Sequence, residues 1–342
     1  MLRTYEQVSK YHPDKYADAI AEAILWDVLE IDPEAHCGIE VMVKNNTVIL
    51  GGEITFLNTS DKSLSEICDL AVRRVATDLK YKVSELLIHI SEQSPELNKA
   101  VSDNDGAGDQ GIVIGYAINQ EQYDFLDYGM YLANKIITRI EELVVEHGVL
   151  LGDAKTQVTV DNHNDVQTLI ISVCHDDDLA LDALELYIEE NVINYLNITA
   201  KNILINPAGR WTIGGPTADT GITGRKLVAD QYGPNVPVGG GNIWGKDYTK
   251  VDRSGAMVAR IVALDIVKEH LLEEAWKEKI AVIVEIAYAI GKSLPVAIRV
   301  KIDGREKLAD ILSRTTPSKY DFSPSGLRKI INENTRKLNY RY

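Results

Sequence analysis

Apolar residues at 17, 20, 21, 24, 25 and 28 recur three or four apart behind Pro13, which predicts an amphipathic helix opening on that proline. The period then changes to that of strands. IEVMVK (39–44) and TVILGGEIT (47–55) read as a hairpin turning at Asn45–Asn46, followed by a helix near 63–79 and a short strand, LLIHIS (86–91). The same order recurs at TQVTVDNH (156–163) and VQTLIISVC (166–174), turning at Asn164–Asp165 with a helix near 179–191 behind them. IAVIVEIAYAI (280–290) and VAIRVKI (296–302) form a third pair, with a helix expected near 305–312. IVIGYAI (112–118) reads as a strand and 255–271 as a helix. Three strand–strand–helix units predict an α/β (α+β) chain of three similar domains in a pseudo-threefold arrangement, with helices covering one face of each sheet. No residue-level identity links the units.

Two connections, 92–111 and 206–245, are too long and too rich in glycine to be simple links, and such loops are usually functional or mobile. Residues 201–260 hold eight Lys or Arg against four Asp and no Glu, together with 11 of the 24 Gly and 4 of the 10 Pro. The chain as a whole carries a formal charge of −15. That field disfavours nucleic acid and anionic membrane as partners. A local basic pocket in bare backbone still suits a compact polyanion such as a phosphate chain. Cys37, Cys68 and Cys174 form no CxxC and no zinc spacing. The N-terminal stretch lacks an apolar signal region, and the apolar run 280–290 is interrupted by Glu285 and too short to cross a bilayer. A cytoplasmic protein is expected.

His12-Pro13-Asp14-Lys15 stands at a helix entrance, where free N–H groups favour phosphate; taken alone these four residues read better as ordinary helix-start chemistry. Gly106–Gly111 satisfies GxGxxG, but a polar loop precedes it and a strand follows, the reverse of a dinucleotide fingerprint. It reads as a turn or a loop closing on a ligand, with Asp109 inward. Asp153-Ala154-Lys155 is either a surface pair or a reader of a nucleoside edge. Trp211, beside Arg210 in a glycine-rich stretch, caps a sheet edge or stacks on a base, the two readings standing even. The densest constellation runs from Gly224-Arg225-Lys226 through Gly239–Gly241 to Lys246, Lys250 and Asp252. Asp252 is expected just before a helix, as an N-cap or, with Asp14, as a Mg²⁺ ligand.

Together these segments resemble the S-adenosylmethionine synthetase (methionine adenosyltransferase) family. HPDK (12–15), GGEIT (51–55), QSP (93–95), GAGDQG (106–111), DAK (153–155), INPAGR (205–210), IGGP (213–216), TGRK (223–226) and the run from GKD through KVDRS (245–254) occur in family order over roughly 5–260. The resemblance implies synthesis of S-adenosylmethionine from ATP and L-methionine. The sulfur attacks C5′, the whole tripolyphosphate leaves, and it is then hydrolysed to phosphate and diphosphate. By resemblance, His12, Lys246, Lys250 and Arg225 are catalytic. His12, Lys15, Asp153, Lys155, Arg210, Trp211, Asp219, Arg225, Lys226 and Lys246 bind ATP or its phosphates. Glu53, Gln93, Asp109, Asp219 and Lys250 lie at methionine. Asp14 and Asp252 hold two Mg²⁺, and Glu40 helps hold K⁺.

The resemblance also implies an interleaved chain path. A first domain takes 1–10 and 119–214, a central one 11–102 and 215–254, and a third 103–118 and 255–342. The active sites are expected at the subunit interface of a homodimer, which pairs in some members into a homotetramer. The alternative is a homologue that holds ATP or S-adenosylmethionine with little turnover; a tripolyphosphate or nucleotide hydrolase is a third reading, disfavoured by Glu53 and Gln93. The chain departs from the family pattern at Tyr11, where Gly is usual, at Trp211 for Phe, and at Asn242-Ile243-Trp244, where smaller residues are usual in the triphosphate loop. The loop between Gln93 and Gly106 is short, and the region after about 300 is abbreviated with a basic tail.

Overall fold

In the computed structural model, residues 1–94, 105–270, 279–303, 305–306 and 320–334 are described. The predicted short loop after Gln93 and the basic tail lie largely or wholly outside them. β1 (Arg3–Val8) precedes a first unit of α1 (Pro13–Ile31), β2 (His36–Lys44), β3 (Thr47–Thr55), α2 (Leu64–Asp78) and β4 (Glu85–Ser91). β5 (Gly111–Ile118) precedes a second, α3 (Tyr128–Glu146), β6 (Leu150–Val160), β7 (Val166–His175), α4 (Leu181–Ile188) and β8 (Ala200–Ile205). β9 (Gly221–Ile222) precedes a third, α5 (Val251–His270), β10 (Ala281–Tyr288), β11 (Ala297–Ile302), β12 (Arg305–Glu306) and α6 (Pro324–Asn334).

Each unit begins with a helix and a hairpin, and each hairpin accepts a strand from elsewhere in the chain. β1 pairs with β6, β5 with β10 and β9 with β2, all antiparallel. The strand before each unit thus enters the sheet of the next, and the last returns to the first. β4 and β8 lie parallel to β3 and β7 across the crossover helices α2 and α4. Among the described residues the result is three four-stranded sheets, β4-β3-β2-β9, β1-β6-β7-β8 and β12-β11-β10-β5. The leading helices α1, α3 and α5 pack on the hairpins that follow them.

The predicted apolar stripe of α1 is buried at every position, Ala17 through Val28. His12 caps this helix, its Nδ1 accepting the Asp14 N–H at 3.1 Å. A capping box of Ser63 and Glu66 starts α2. The turn at Asn45 holds φ +51°, as a two-residue hairpin requires. Gly115 lets α5 lie directly on β5: a Cβ there would fall 2.0 Å from the Ala259 backbone.

Three elements differ from expectation. The β6–β7 connection spans 161–165, because Val160 pairs with Val166 and Asp161 caps the loop through the His163 and Asp165 N–H groups. Arg305–Glu306 is a strand extending the third sheet rather than a helix start; 307–319 lie outside the described residues, and the helix comes at Pro324–Asn334. α5 begins at Val251, so Asp252 sits in its first turn instead of ahead of it. α3 was not predicted, although Met130, Ala133, Ile136, Ile137, Ile140, Leu143 and Val144 show the same buried spacing as α1. No described helix is long and apolar enough to cross a membrane.

Candidate active site

One face of α1 carries acids at 14, 18 and 22, a spacing that aligns them along the helix. Such a stripe would ordinarily face water. Here all three are buried beneath the glycine-rich segment, and each takes one backbone N–H from it. Asp14 accepts from Ile222 at 3.0 Å, Asp18 from Gly224 at 2.9 Å and Glu22 from Gly245 at 3.2 Å. Each also takes a cation: Asp14 the Lys226 ammonium, Asp18 the Lys15 ammonium at 3.0 Å, and Glu22 the Arg253 guanidinium at 2.7 Å. This ladder fastens 221–245 along α1 and sets its charges beside the helix entrance.

The first group of site residues gathers there. His12 is 2% exposed, and burial, then the charges of Lys226 and Lys155, depress its pKa to about 4. Since Nδ1 accepts the Asp14 N–H, the neutral ring carries its proton on Nε2 and can donate from there. The folded pKa lies below the ordinary 6.5, so the unfolded chain takes up the proton first. His12 therefore withdraws stability as pH falls from about 6.5 toward 4. NMR of the ring protons should show no His12 titration between about pH 5.5 and 8; a step near 6.5 would contradict this environment. Asp14 stays ionised: burial works to raise its pKa, but the Lys226 ammonium and the Ile222 N–H outweigh it. Arg225 Nε approaches Asp14 at 3.6 Å.

Asp153 and Lys155 lie within β6, beside a register break in its pairing with β7. Asp153 accepts the Gly215 N–H at 2.8 Å through Oδ2, while Oδ1 is buried without a partner. Burial pushes its pKa up to about 6. Above that pH the folded state holds a charge the unfolded chain carries more cheaply. Asp153→Asn should raise stability by about 2–3 kcal/mol at pH 8, since each pK unit is worth about 1.4 kcal/mol. Thermal melts at pH 8 and pH 4 check this: the gain should vanish at the lower pH. Lys155 and Asp219 are exposed, and their charges reach His12.

A second group forms where residues 245–250 dock on β2. Gly245 C=O accepts from Ile39 N–H at 3.0 Å, Asp247 N–H donates to Cys37 C=O at 3.2 Å, and Gly38 and Lys246 form an isolated bridge. Lys246 Nζ then meets Asp252 Oδ2 at 2.7 Å, and Asp252 Oδ1 accepts the Gly241 N–H at 2.9 Å. Lys250 Nζ lies 3.0 Å from Asp247, which also accepts the Cys37 and Thr249 N–H groups. Gln93, buried nearby, takes His36 Nδ1 at 3.1 Å on its Oε1 and donates its backbone N–H to Thr55. Glu53 is exposed on β3 opposite Gly38, and Asp109 is exposed ahead of β5. Among the described residues, the side chains of the two groups share no hydrogen bond or ion pair.

Other site residues stand apart from both groups. Lys15 is buried, paired with Asp18 and with Asp230 at 2.7 Å, its ammonium 4.1 Å from the Trp244 ring centroid. Trp244 donates to Asp230 at 2.8 Å, so this departure works behind the glycine loop rather than within it. Arg210 turns to Asp177 at 2.7 Å on the surface. Trp211 is half-buried, its indole N–H on Ile213 C=O at 2.8 Å. Glu40, exposed on β2, accepts the Thr223 hydroxyl. Tyr11 fills the space above Gly152, whose φ is +101° and whose Cβ would lie 2.5 Å from the ring. Tyr81 hydroxyl donates to Tyr11 C=O.

Sequence reading passed over Asp18, Glu22, Asp230 and Asp247, and gave Arg253 no role of its own. For the first two, the spacing 14–18–22 was the available signal; the others pair only through the fold. As for metals, no group of three or more His, Cys, Asp or Glu assembles among the described residues. Asp14 and Asp252 each offer one hard carboxylate. That fits Mg²⁺, which keeps waters and substrate phosphates beside one or two carboxylates.

Models of the S-adenosylmethionine synthetase family match almost the whole chain. The N-terminal domain matches 1–95, the central domain 104–211 and the C-terminal domain 213–341. An S-adenosylmethionine synthase of Mycoplasmopsis pulmonis is 36% identical over 351 residues, covering 98% of this chain and 90% of that protein. One of Petrotoga mobilis is 34% identical over 367 residues, covering 97% and 90%. A solved structure described as an unusual S-adenosylmethionine synthetase from Campylobacter jejuni superposes with a TM-score of 0.82 at 29% identity, covering 97% of this chain and 89% of its own.

Proposed function

Because the chain belongs to the S-adenosylmethionine synthetase family, we propose that its two charged groups are the two ends of one catalytic surface for sulfur attack on ATP. The chain is a methionine adenosyltransferase. ATP and L-methionine are its substrates on the family reading. The finer mechanism follows from the charges.

Methionine sulfur is a neutral nucleophile, so reaction depends on stabilising the leaving group. As the C5′–O bond breaks, negative charge moves onto the tripolyphosphate. Lys246, Lys226 and Arg225 would meet that charge, the segments that carry them being docked beside β2 and along α1. His12, neutral with its proton on Nε2, would donate to a phosphate oxygen at the helix entrance. Lys250 and Gln93 would hold methionine with Glu53 and Asp219, Asp109 lying toward adenosine. Asp153, Lys155, Arg210 and Trp211 would receive the nucleoside, and the open Oδ1 of Asp153 supports an acceptor role. Lys15 would act on the phosphates through the segment it anchors. Mg²⁺ on Asp14 and Asp252 would neutralise phosphate charge, and Glu40 would contribute to a K⁺ site. The same cations would retain tripolyphosphate for hydrolysis.

The observation that carries this reading is the acid ladder of α1, which brings the cationic segment to His12. On the family reading, the sites lie at the subunit interface of a homodimer. Strand exchange between units supports the domain division 1–10 with 119–214, 11–102 with 215–254, and 103–118 with 255–342. The test is incubation with ATP, methionine, Mg²⁺ and K⁺. S-adenosylmethionine with phosphate and diphosphate is the expected outcome. Methionine-independent phosphate release, or nucleotide binding without product, would overturn it.

A further inference from the structure

Two carboxylates assigned to metal and two lysines assigned to phosphate are bonded to one another. Lys226 Nζ is paired with Asp14 Oδ2, and Lys246 Nζ with Asp252 Oδ2 at 2.7 Å. The acids are held in place. Asp14 is 1% exposed in the first turn of α1 and keeps the Ile222 N–H; Asp252 sits in the first turn of α5 and keeps the Gly241 N–H. The lysines are the free arms, since each ammonium rides on a flexible four-carbon stem.

This arrangement sets a penalty on either ligand arriving alone. A polyanion that draws Lys226 away leaves the buried Asp14 with only the more distant Arg225 Nε, 3.6 Å off, in place of a direct ammonium partner, which is costly. A divalent cation approaching Asp14 must displace, or lie beside, an ammonium of like charge. If both arrive, every charge finds a new partner: the carboxylates take the metal and the lysines take phosphate.

We propose that Asp14–Lys226 and Asp252–Lys246 are exchange pairs, which couple divalent-metal binding to polyphosphate binding through the protein itself. The proposal rests on the reading of the site given above and adds to it a rule of joint occupancy. The coupling is distinct from chelation of the metal by the polyphosphate in solution, because its protein half, the release of each lysine from its carboxylate, can be read when no metal is present.

That distinction supplies the test. Tripolyphosphate binding is measured by titration calorimetry in EDTA, with circular dichroism to confirm that each variant folds. Asp252→Asn should bind tripolyphosphate about tenfold more tightly than the natural chain, because Lys246 is released. In a Lys246→Met background the same Asp252→Asn change should bring about twofold or less. An equal gain in both backgrounds would reveal only a long-range charge effect and overturn the proposal, as would no gain at all. Asp14→Asn with Lys226→Met gives a second, independent cycle should the first variants fail to fold. The parent reading fails separately. If the natural chain with Mg²⁺ neither binds tripolyphosphate nor forms S-adenosylmethionine, the site is misread; if it does both while the cycles are additive, only the exchange is wrong.

Discussion

Replacing Lys246 with methionine should slow S-adenosylmethionine formation at saturating ATP and methionine by about 10²–10³-fold, the usual effect of losing one fixed donor to a developing charge. The expectation comes from how firmly the residue is placed. Its backbone is bridged to Gly38, and its neighbours exchange hydrogen bonds with Cys37 and Ile39. A short piece of the glycine-rich segment thus docks beside β2, fixing the Lys246 backbone while its ammonium rests on Asp252 at 2.7 Å. Once ligand binding has moved it from Asp252 to phosphate, a cation so anchored needs little further rearrangement as charge moves onto the leaving group. Its methylene stem is kept in the methionine variant, so packing changes little. The discriminating measurement is kcat set against KM for ATP. An effect confined to KM would make Lys246 a ground-state binder, and an unchanged kcat would remove it from the chemistry.

The distribution of charge pointed to this segment before any coordinates. Eight cations among eleven glycines, with no Glu, fit a solvated helix face poorly. The hairpins were legible for a related reason: strict alternation and asparagine turns leave few other readings. What the chain order concealed was pairing between distant parts. β1, β5 and β9 each join a sheet built from another unit, and nothing local in RTYEQV or in the dipeptide Gly221–Ile222 announces which sheet that is. The acids of α1 illustrate the same limit. Their spacing was visible, but an acidic stripe on a helix is normally exposed. Only the tertiary structure reveals that Ile222, Gly224 and Gly245 bring their N–H groups down onto it. Lys15 shows the converse. Its place in HPDK suggested direct phosphate contact, while the fold holds its ammonium between Asp18, Asp230 and the Trp244 ring.

One of these hidden pairings, buried on both sides, should carry a large effect on stability. Glu22 and Arg253 meet through two hydrogen bonds of 2.7 Å, with side chains 4% and 3% exposed. Glu22 also accepts the Gly245 N–H, and Arg253 donates to Ile243 C=O at 3.1 Å. One ion pair therefore joins α1, α5 and the loop that presents Lys246. Glu22→Ala strands a buried guanidinium and deprives a backbone N–H of its acceptor. The expected loss is about 3–5 kcal/mol, the range for breaking one side of a buried pair. Urea titration should show a lower midpoint at similar slope. Removing both partners leaves no stranded charge, so Glu22→Ala with Arg253→Ala should cost less than the sum of the single changes. Strict additivity would mean the two side chains do not depend on one another. Loss of activity in the single variants at temperatures where they remain folded would locate the damage in the Lys246 loop, because the ladder's last rung is what seats Gly245 against α1.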